Sequence, residues 1–297
     1  MTSTPRPPLA GRPDGSFEFH VVALPAAWRV TTAALVVVSR GSLLAILAAV
    51  LLSENPPTNP FKQMRLLAGF FVAPEIAAWC IAKAFAASAR VSGGVLTIAR
   101  RDANVEVPLD AVTAIEPWAV PLPRGGVWLK LRSGRRLAWG LQAADPAGLV
   151  GAMVDCGAPP SLRAGLESPL VVFAQARLAW SLHWLDHPVL KFVVYSLVPA
   201  MPVFRLHQFI TYGGTFGEYY TFGLKAYLLG FGLWWVSFAM GLLMFAAAIR
   251  AVVEVLAMLA AVLAPARATG ARRLLEWGQR IAFYVGIPTW MALRLLA

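Results

Sequence analysis

Between residues 91 and 157 the hydrophobic pattern drops to a period of two, and long apolar runs flank that stretch on both sides. Gly94-Val-Leu-Thr-Ile-Ala-Arg100, Val105-Glu-Val-Pro-Leu109 and Val127-Trp-Leu-Lys-Leu-Arg132 alternate apolar with polar. In the last of these, Val127, Leu129 and Leu131 share one face, and Trp128, Lys130 and Arg132 share the other. Such alternation is the mark of half-buried antiparallel strand. Gly93-Gly94, Gly125-Gly126 and Ser133-Gly134 stand where turns would join the strands. The stretch closes at Asp145-Pro146, where the carboxylate caps a short helix with proline in its first turn. The pattern predicts a small β domain inserted between membrane segments.

The flanking runs set the compartment. Of 297 residues, 58% are hydrophobic and 14% are charged, far from soluble composition, and a helical span needs about 20 mainly apolar residues. An N-terminal tail, disordered to Gly15 and interfacial from Phe17, occupies 1–29. A transmembrane hairpin follows over 30–90, with spans at about 30–52 and 61–87 joined by the turn Glu54-Asn-Pro-Pro-Thr-Asn-Pro60. The β domain takes 91–157. A C-terminal membrane domain fills 158–297, with an interfacial helix over 168–186, a span at 187–206 and another at 224–245. Residues 250–264 prolong that last helix, and 281–297 form either a fifth, tilted span or a re-entrant segment. The fold class is therefore an α-helical integral membrane protein of four to five spans with an inserted β domain.

The net charge of +11 is read first as topology, because Lys and Arg collect on the cytoplasmic side. Arg90, Arg100, Arg101, Arg124, Lys130, Arg132, Arg135 and Arg136 place the β domain, and with it the N-terminus, in the cytoplasm. Spread over loops between spans, the basic residues argue against a nucleic-acid partner. Cys80 and Cys156 form neither a disulfide framework nor a metal-ligand spacing.

Gly94-Val-Leu-Thr-Ile98, Val107-Pro-Leu-Asp-Ala-Val-Thr-Ala-Ile115, Gly126-Val-Trp-Leu-Lys-Leu-Arg-Ser-Gly134 and the closing helix, preceded by a two-helix hairpin, resemble the bacterial pleckstrin-homology-like domain family of membrane proteins. The resemblance covers the N-terminal half. It implies an antiparallel β domain closed by one helix, and a bacterial inner membrane.

Four groups of residues could carry function. Arg40 and Glu75 lie within the hairpin spans, where an ionisable side chain needs a partner; structural pairing is weighed above an ion or proton path. His183, Asp186 and His187, with His207 one span later, offer metal-ligand chemistry. Against it, Pro188 ends the turn and His187 and His207 bracket a span, so interfacial histidines are the simpler reading. The segment 207–223 has no Lys or Arg, and Phe209, Tyr212, Phe216, Tyr219 and Tyr220 surround Glu218 and three glycines. That composition suits lipid headgroups or partner docking. Lastly, Lys130, Arg132, Arg135 and Arg136 form a basic patch that anionic lipid would attract.

No nucleophile with its base, no carboxylate pair and no cofactor fingerprint is present, and no cofactor is expected. The sequence points to a non-catalytic membrane subunit, a scaffold or assembly factor whose partners are membrane lipids and other membrane protein subunits. The alternatives are a membrane enzyme or metal- or haem-binding protein using His183, Asp186, His187 and His207, and a transporter using Glu75 and Arg40.

Overall fold

The computed structural model describes residues 16–53, 59–101, 103–122, 125–178 and 183–296. The expected tail before Ser16, most of the turn at 54–60, Arg124 and residues 179–182 of the expected interfacial helix lie outside the described residues.

In chain order the helices are α1 (Ala26–Leu52), α2 (Pro60–Leu67), α3 (Ala73–Ala84), α4 (Pro146–Asp155), α5 (Pro169–Leu178), α6 (Tyr195–Tyr212), α7 (Gly217–Leu263), α8 (Ala268–Ile281) and α9 (Ile287–Leu296). π-helical turns at Ala68–Val72, Val189–Val194 and Ala282–Gly286 join α2 to α3, lead into α6 and join α8 to α9. Among the described residues four helices are long and apolar enough to cross a membrane: α1, Pro60–Ala84, Val189–Tyr212 and Gly217–Leu263. They point to a membrane location. The chain forms two compact units, 1–37 with 74–181 and 255–275, and 38–73 with 182–254 and 276–297.

The first unit contains a curled antiparallel sheet in the order β4-β3-β2-β1-β7-β6-β5, with β1 at Phe17–Pro25, β2 at Ala86–Ser92, β3 at Val95–Arg100, β4 at Asn104–Pro108, β5 at Val112–Pro117, β6 at Val127–Leu131 and β7 at Trp139–Ala143. Here the structure departs from the reading of 17–29 as an interfacial tail. Phe17–Pro25 is the central strand, paired to β2 through Phe17↔Val91 and to β7 through Val21↔Ala143. The sheet is thus built from chain on both sides of α1–α3, and β2 starts before residue 91. Phe19, Val21 and Ala23 point into a core with Leu96, Ile98, Leu129 and Leu141, which α4 closes through Leu149 and Met153. Asp145 caps α4, its Oδ1 accepting from the Gly148 amide at 2.8 Å.

The opposite face of the sheet is not simply solvated. Trp128, expected to share a polar face with Lys130 and Arg132, is buried with Leu24 and Trp118, against Ile81 of α3 and Phe85. Trp118 can lie flat there because Gly126 and Gly140 have no side chain; a Cβ at either would come within 2.7 or 2.9 Å of its ring. The Arg29 guanidinium stacks 4.5 Å from the same ring. Phe173 and Ala176 of α5 pack on Ala257 and Ala261 near the end of α7.

The second unit holds most of the apolar helix. Leu43, Ile46 and Leu47 of α1 and Leu67 of α2 pack with Met240 and Met244 of α7. α7 breaks once, at Gly223 (φ 82°, ψ 174°), and the expected extension through 250–264 is continuous helix. From 224 to 263 it runs roughly 60 Å at about 1.5 Å per residue, twice the ~30 Å hydrocarbon thickness of a bilayer. Arg250 and Glu254, one helical turn apart, pair at 2.6 Å in the second half of that length.

Candidate functional site

Two places in the second unit concentrate polar chemistry, and they lie at opposite ends of α6. The first is the turn from α6 to α7. The segment 207–223 was expected to be a loop, but α6 continues to Tyr212 and α7 resumes at Gly217. The reversal is confined to 213–216. Gly213 adopts the left-handed conformation (φ 74°), its amide donating to Phe209 O at 3.1 Å, a helix C-cap that a side chain would strain.

A reciprocal pair of hydrogen bonds holds the turn. Gln208 Nε2 donates to Glu218 Oε2 at 2.7 Å, and the Glu218 amide donates back to Gln208 Oε1 at 3.1 Å. Gln208 is wholly buried. Tyr212 is half-buried, its ring edge-on to those of His207 and Phe222, and His207 also packs on Trp234 and bonds Thr211. In contrast Phe209, Phe216, Tyr219 and Tyr220 are exposed, Tyr220 by 80%. Beside them opens a groove of about 890 Å³ lined by Met201, Phe204, Arg205, Tyr212, Phe216 and Tyr220, among others.

The second place is a seam of buried charge. Arg280 Nη2 meets Asp186 Oδ2 at 2.6 Å. Arg250 Nη1 reaches Glu276 Oε1 at 2.8 Å and Gln279 Oε1 at 3.3 Å, while its Nη2 holds Glu254. Glu276, Gln279 and Arg280 are buried. Lys191, 8% exposed, rests with its ammonium 4.5 Å from the Phe283 ring. Tyr284 donates to Leu185 O at 2.6 Å, and Tyr195 donates to Tyr284 O at 3.0 Å.

The seam bears directly on the metal reading. Asp186 is committed to Arg280, and His183 Nδ1 accepts from the Leu185 amide while its ring meets Trp184 and Trp277. His187 is exposed, and His207 belongs to the far end of α6. Among the described residues no group of three or more His, Cys, Asp or Glu side chains is placed to hold a metal ion. The structure does not bring these four residues together, because a span separates His207 from the others and arginine has taken the carboxylate.

On α1 Arg40 is exposed, and Glu75 is half-buried in the first turn of α3. In the basic patch, Arg132 donates to Asp110 O at 2.8 Å and Arg136 pairs with Glu116. Lys130 is half-buried, and Arg135 is exposed. Two of the four charges therefore have local counter-groups, which weakens the patch as a lipid attractor. The seam itself was not anticipated, although Arg250/Glu254 and Glu276/Arg280 are both opposite charges at i,i+4 spacing, a signal present in the sequence. Comparison of the chain with protein-family models, with curated proteins and with solved structures finds no match.

Proposed function

We propose that this protein is a non-catalytic scaffold or assembly factor of a membrane protein complex, docking membrane partners through the α6–α7 turn. The observation that carries this reading is the pairing of exposed aromatics with a locked backbone. Phe209, Phe216, Tyr219 and Tyr220 stand outward on a turn that the Gln208–Glu218 bonds fix. A rigid aromatic surface loses little entropy on binding, and such residues dominate interface energetics. Catalysis has less support: Asp186 is in an ion pair and His183 and His207 are in ring contacts, with His187 exposed.

The same reading places the β domain and the N-terminus in the cytoplasm of a bacterial inner membrane. The Lys and Arg of 90–136, against none in 207–223, support this orientation. The antiparallel sheet with α4 packed on its core supports the pleckstrin-homology-like resemblance, with the qualification that its central strand precedes the hairpin.

Purification in mild detergent, with identification of the subunits that accompany the protein, tests the scaffold. Phe209→Ala with Tyr220→Ala should release those subunits without reducing expression or membrane insertion. A wild-type protein that purifies as a solitary monomer overturns the reading. For orientation, a cysteine at Thr215 should react with an impermeant maleimide from outside intact cells, and one at Ser133 should not.

A further inference from the structure

In the helix formed by α8, its π-helical turn and α9, polarity is inverted relative to a helix packed on a soluble core. Its inward face carries Glu276, Gln279 and Arg280, all buried and all engaged by Asp186 or Arg250 or their neighbours. Its opposite face carries Trp277, Ile281, Val285 and Leu293, all exposed, Ile281 by 61%. A helix meeting water would turn these two faces the other way round.

Depth identifies what the outer face meets. Phe283 and Ile287 pack on Leu242 and Ala246 of α7, so this half of the helix runs beside the apolar length of a helix able to cross a membrane. The buried charges on this helix between residues 276 and 287 are Glu276 and Arg280, and beyond them the inner face continues with Phe283 and Ile287, the Lys191 ammonium resting on the Phe283 ring. Trp277 sits at the level of the seam, its ring 4.8 Å from the Arg280 guanidinium, which is where tryptophan collects at a membrane interface. From Ile281 to Leu293 the helix advances roughly 18 Å at about 1.5 Å per residue, over half of the ~30 Å hydrocarbon core.

We propose that this helix enters the bilayer at Trp277 and presents Ile281, Val285 and Leu293 to lipid acyl chains, with its charged face turned inward to the seam. It is a lipid-facing helix that a count of charges hides, since every charge between Glu276 and Arg280 is paired within the protein. This inference rests on the membrane location argued above, and adds the acyl chain as the partner of this particular face.

The test is spin-label accessibility in the full-length protein, reconstituted in phosphatidylcholine and phosphatidylglycerol vesicles after Cys80→Ser and Cys156→Ser. Labels go singly at Ile281 and Val285, with Leu229 of α7 as the lipid reference and Ser133 of the β6–β7 turn as the aqueous reference. The expected result is an oxygen-to-nickel-chelate collision ratio at Ile281 and Val285 several-fold above that at Ser133 and close to that at Leu229. Nickel-chelate accessibility at both sites, with Leu229 still shielded, overturns the inference and leaves the membrane reading standing. Shielding from both reagents overturns it too, in favour of a protein neighbour. Should Leu229 itself be open to the nickel chelate, the membrane reading falls first.

Discussion

The indole of Trp235 donates to the carbonyl of Val193 at 3.0 Å, inside the π-helical turn that opens the third apolar helix. The same nitrogen lies 2.8 Å from Ser196 Oγ. This is one case of a device used three times. The turn at Ala68–Val72 gives its Phe71 and Phe70 carbonyls to Ser39 and Ser42 of α1, both at 3.1 Å. The turn at Ala282–Gly286 gives the Tyr284 carbonyl to Tyr195 of α6. A π-helical turn misaligns a carbonyl that lipid cannot satisfy, so a side chain from the neighbouring helix must supply the donor. The polar contacts thereby fix which helices pair, where apolar packing alone gives little orientation.

Trp235→Phe keeps most of the ring and removes the donor. Polar contacts between membrane helices are worth about 0.6 kcal/mol on average and up to about 1.7, and Ser196 is fully buried. A lowered melting temperature in detergent is therefore expected, with expression retained. Val193 O also accepts from Ser196 Oγ at 2.9 Å, so an unchanged melting temperature would show that this hydroxyl alone satisfies the carbonyl.

The charged seam should obey the asymmetry of buried ion pairs. Arg280→Met strands the Asp186 carboxylate, which is about one-fifth exposed, and breaking a buried pair costs about 3–5 kcal/mol. Asp186→Leu combined with Arg280→Met removes both charges and should be much less destabilising than either change alone. Thermal unfolding of the three variants in one detergent decides it. Additive losses would mean the two residues are not coupled.

Much of the sheet was legible in the sequence because a period of two shows wherever one face is buried, as in Gly94–Arg100 and Val127–Arg132. β1 carries the same signal: Phe17, Phe19, Val21 and Ala23 alternate with Glu18, His20, Val22 and Leu24. It was missed because its partners, β2 and β7, lie beyond a two-helix hairpin, and alternation does not reveal pairing across such a gap. Trp128 misled for a different reason. Its alternation is real, but the second face of the sheet is covered around Trp118, so two-sided burial replaced the expected polar side. At the α6–α7 turn the glycines and aromatics were evident, whereas the buried role of Gln208 was not. An isolated glutamine has no periodicity, and its meaning depends on a carboxylate ten residues away.

Cys156 offers a pH test outside the apolar helices. Burial, and then the neighbouring Asp155 carboxylate, push its thiol above the ordinary range for cysteine. Both causes disfavour the thiolate, which is the reactive form. Alkylation of Cys156 by iodoacetamide should be slow at neutral pH and still accelerating at a pH where a free thiol has levelled off. Asp155→Asn removes the second cause and should speed the reaction at fixed pH. An equal rate in the two proteins would leave burial as the whole explanation.

The Gln208–Glu218 clasp gives the sharpest separation between a structural and an interfacial role for the α6–α7 turn. Gln208 is fully buried and uses its carboxamide in both directions, as donor to the carboxylate and as acceptor from the Glu218 amide. Glu218 also lies over Gly230 of α7, so its side chain ties the turn to the next part of the helix. Glu218→Ala would leave the Gln208 amine without its acceptor, at a cost of about 1–3 kcal/mol for an unsatisfied buried group. Glu218→Gln keeps an acceptor at the same position and should cost little. Gln208→Leu deprives both the carboxylate and the Glu218 amide of their partner, and should be the most damaging of the three. The expected order of melting temperature is wild type near Glu218→Gln, then Glu218→Ala, then Gln208→Leu. If the clasp also holds the docking surface in shape, co-purifying subunits should be lost in that same order, whereas Phe209→Ala with Tyr220→Ala should lose them with no change in melting temperature. Loss of partners in Glu218→Gln without loss of stability would instead make the carboxylate itself a contact, and the clasp incidental to it.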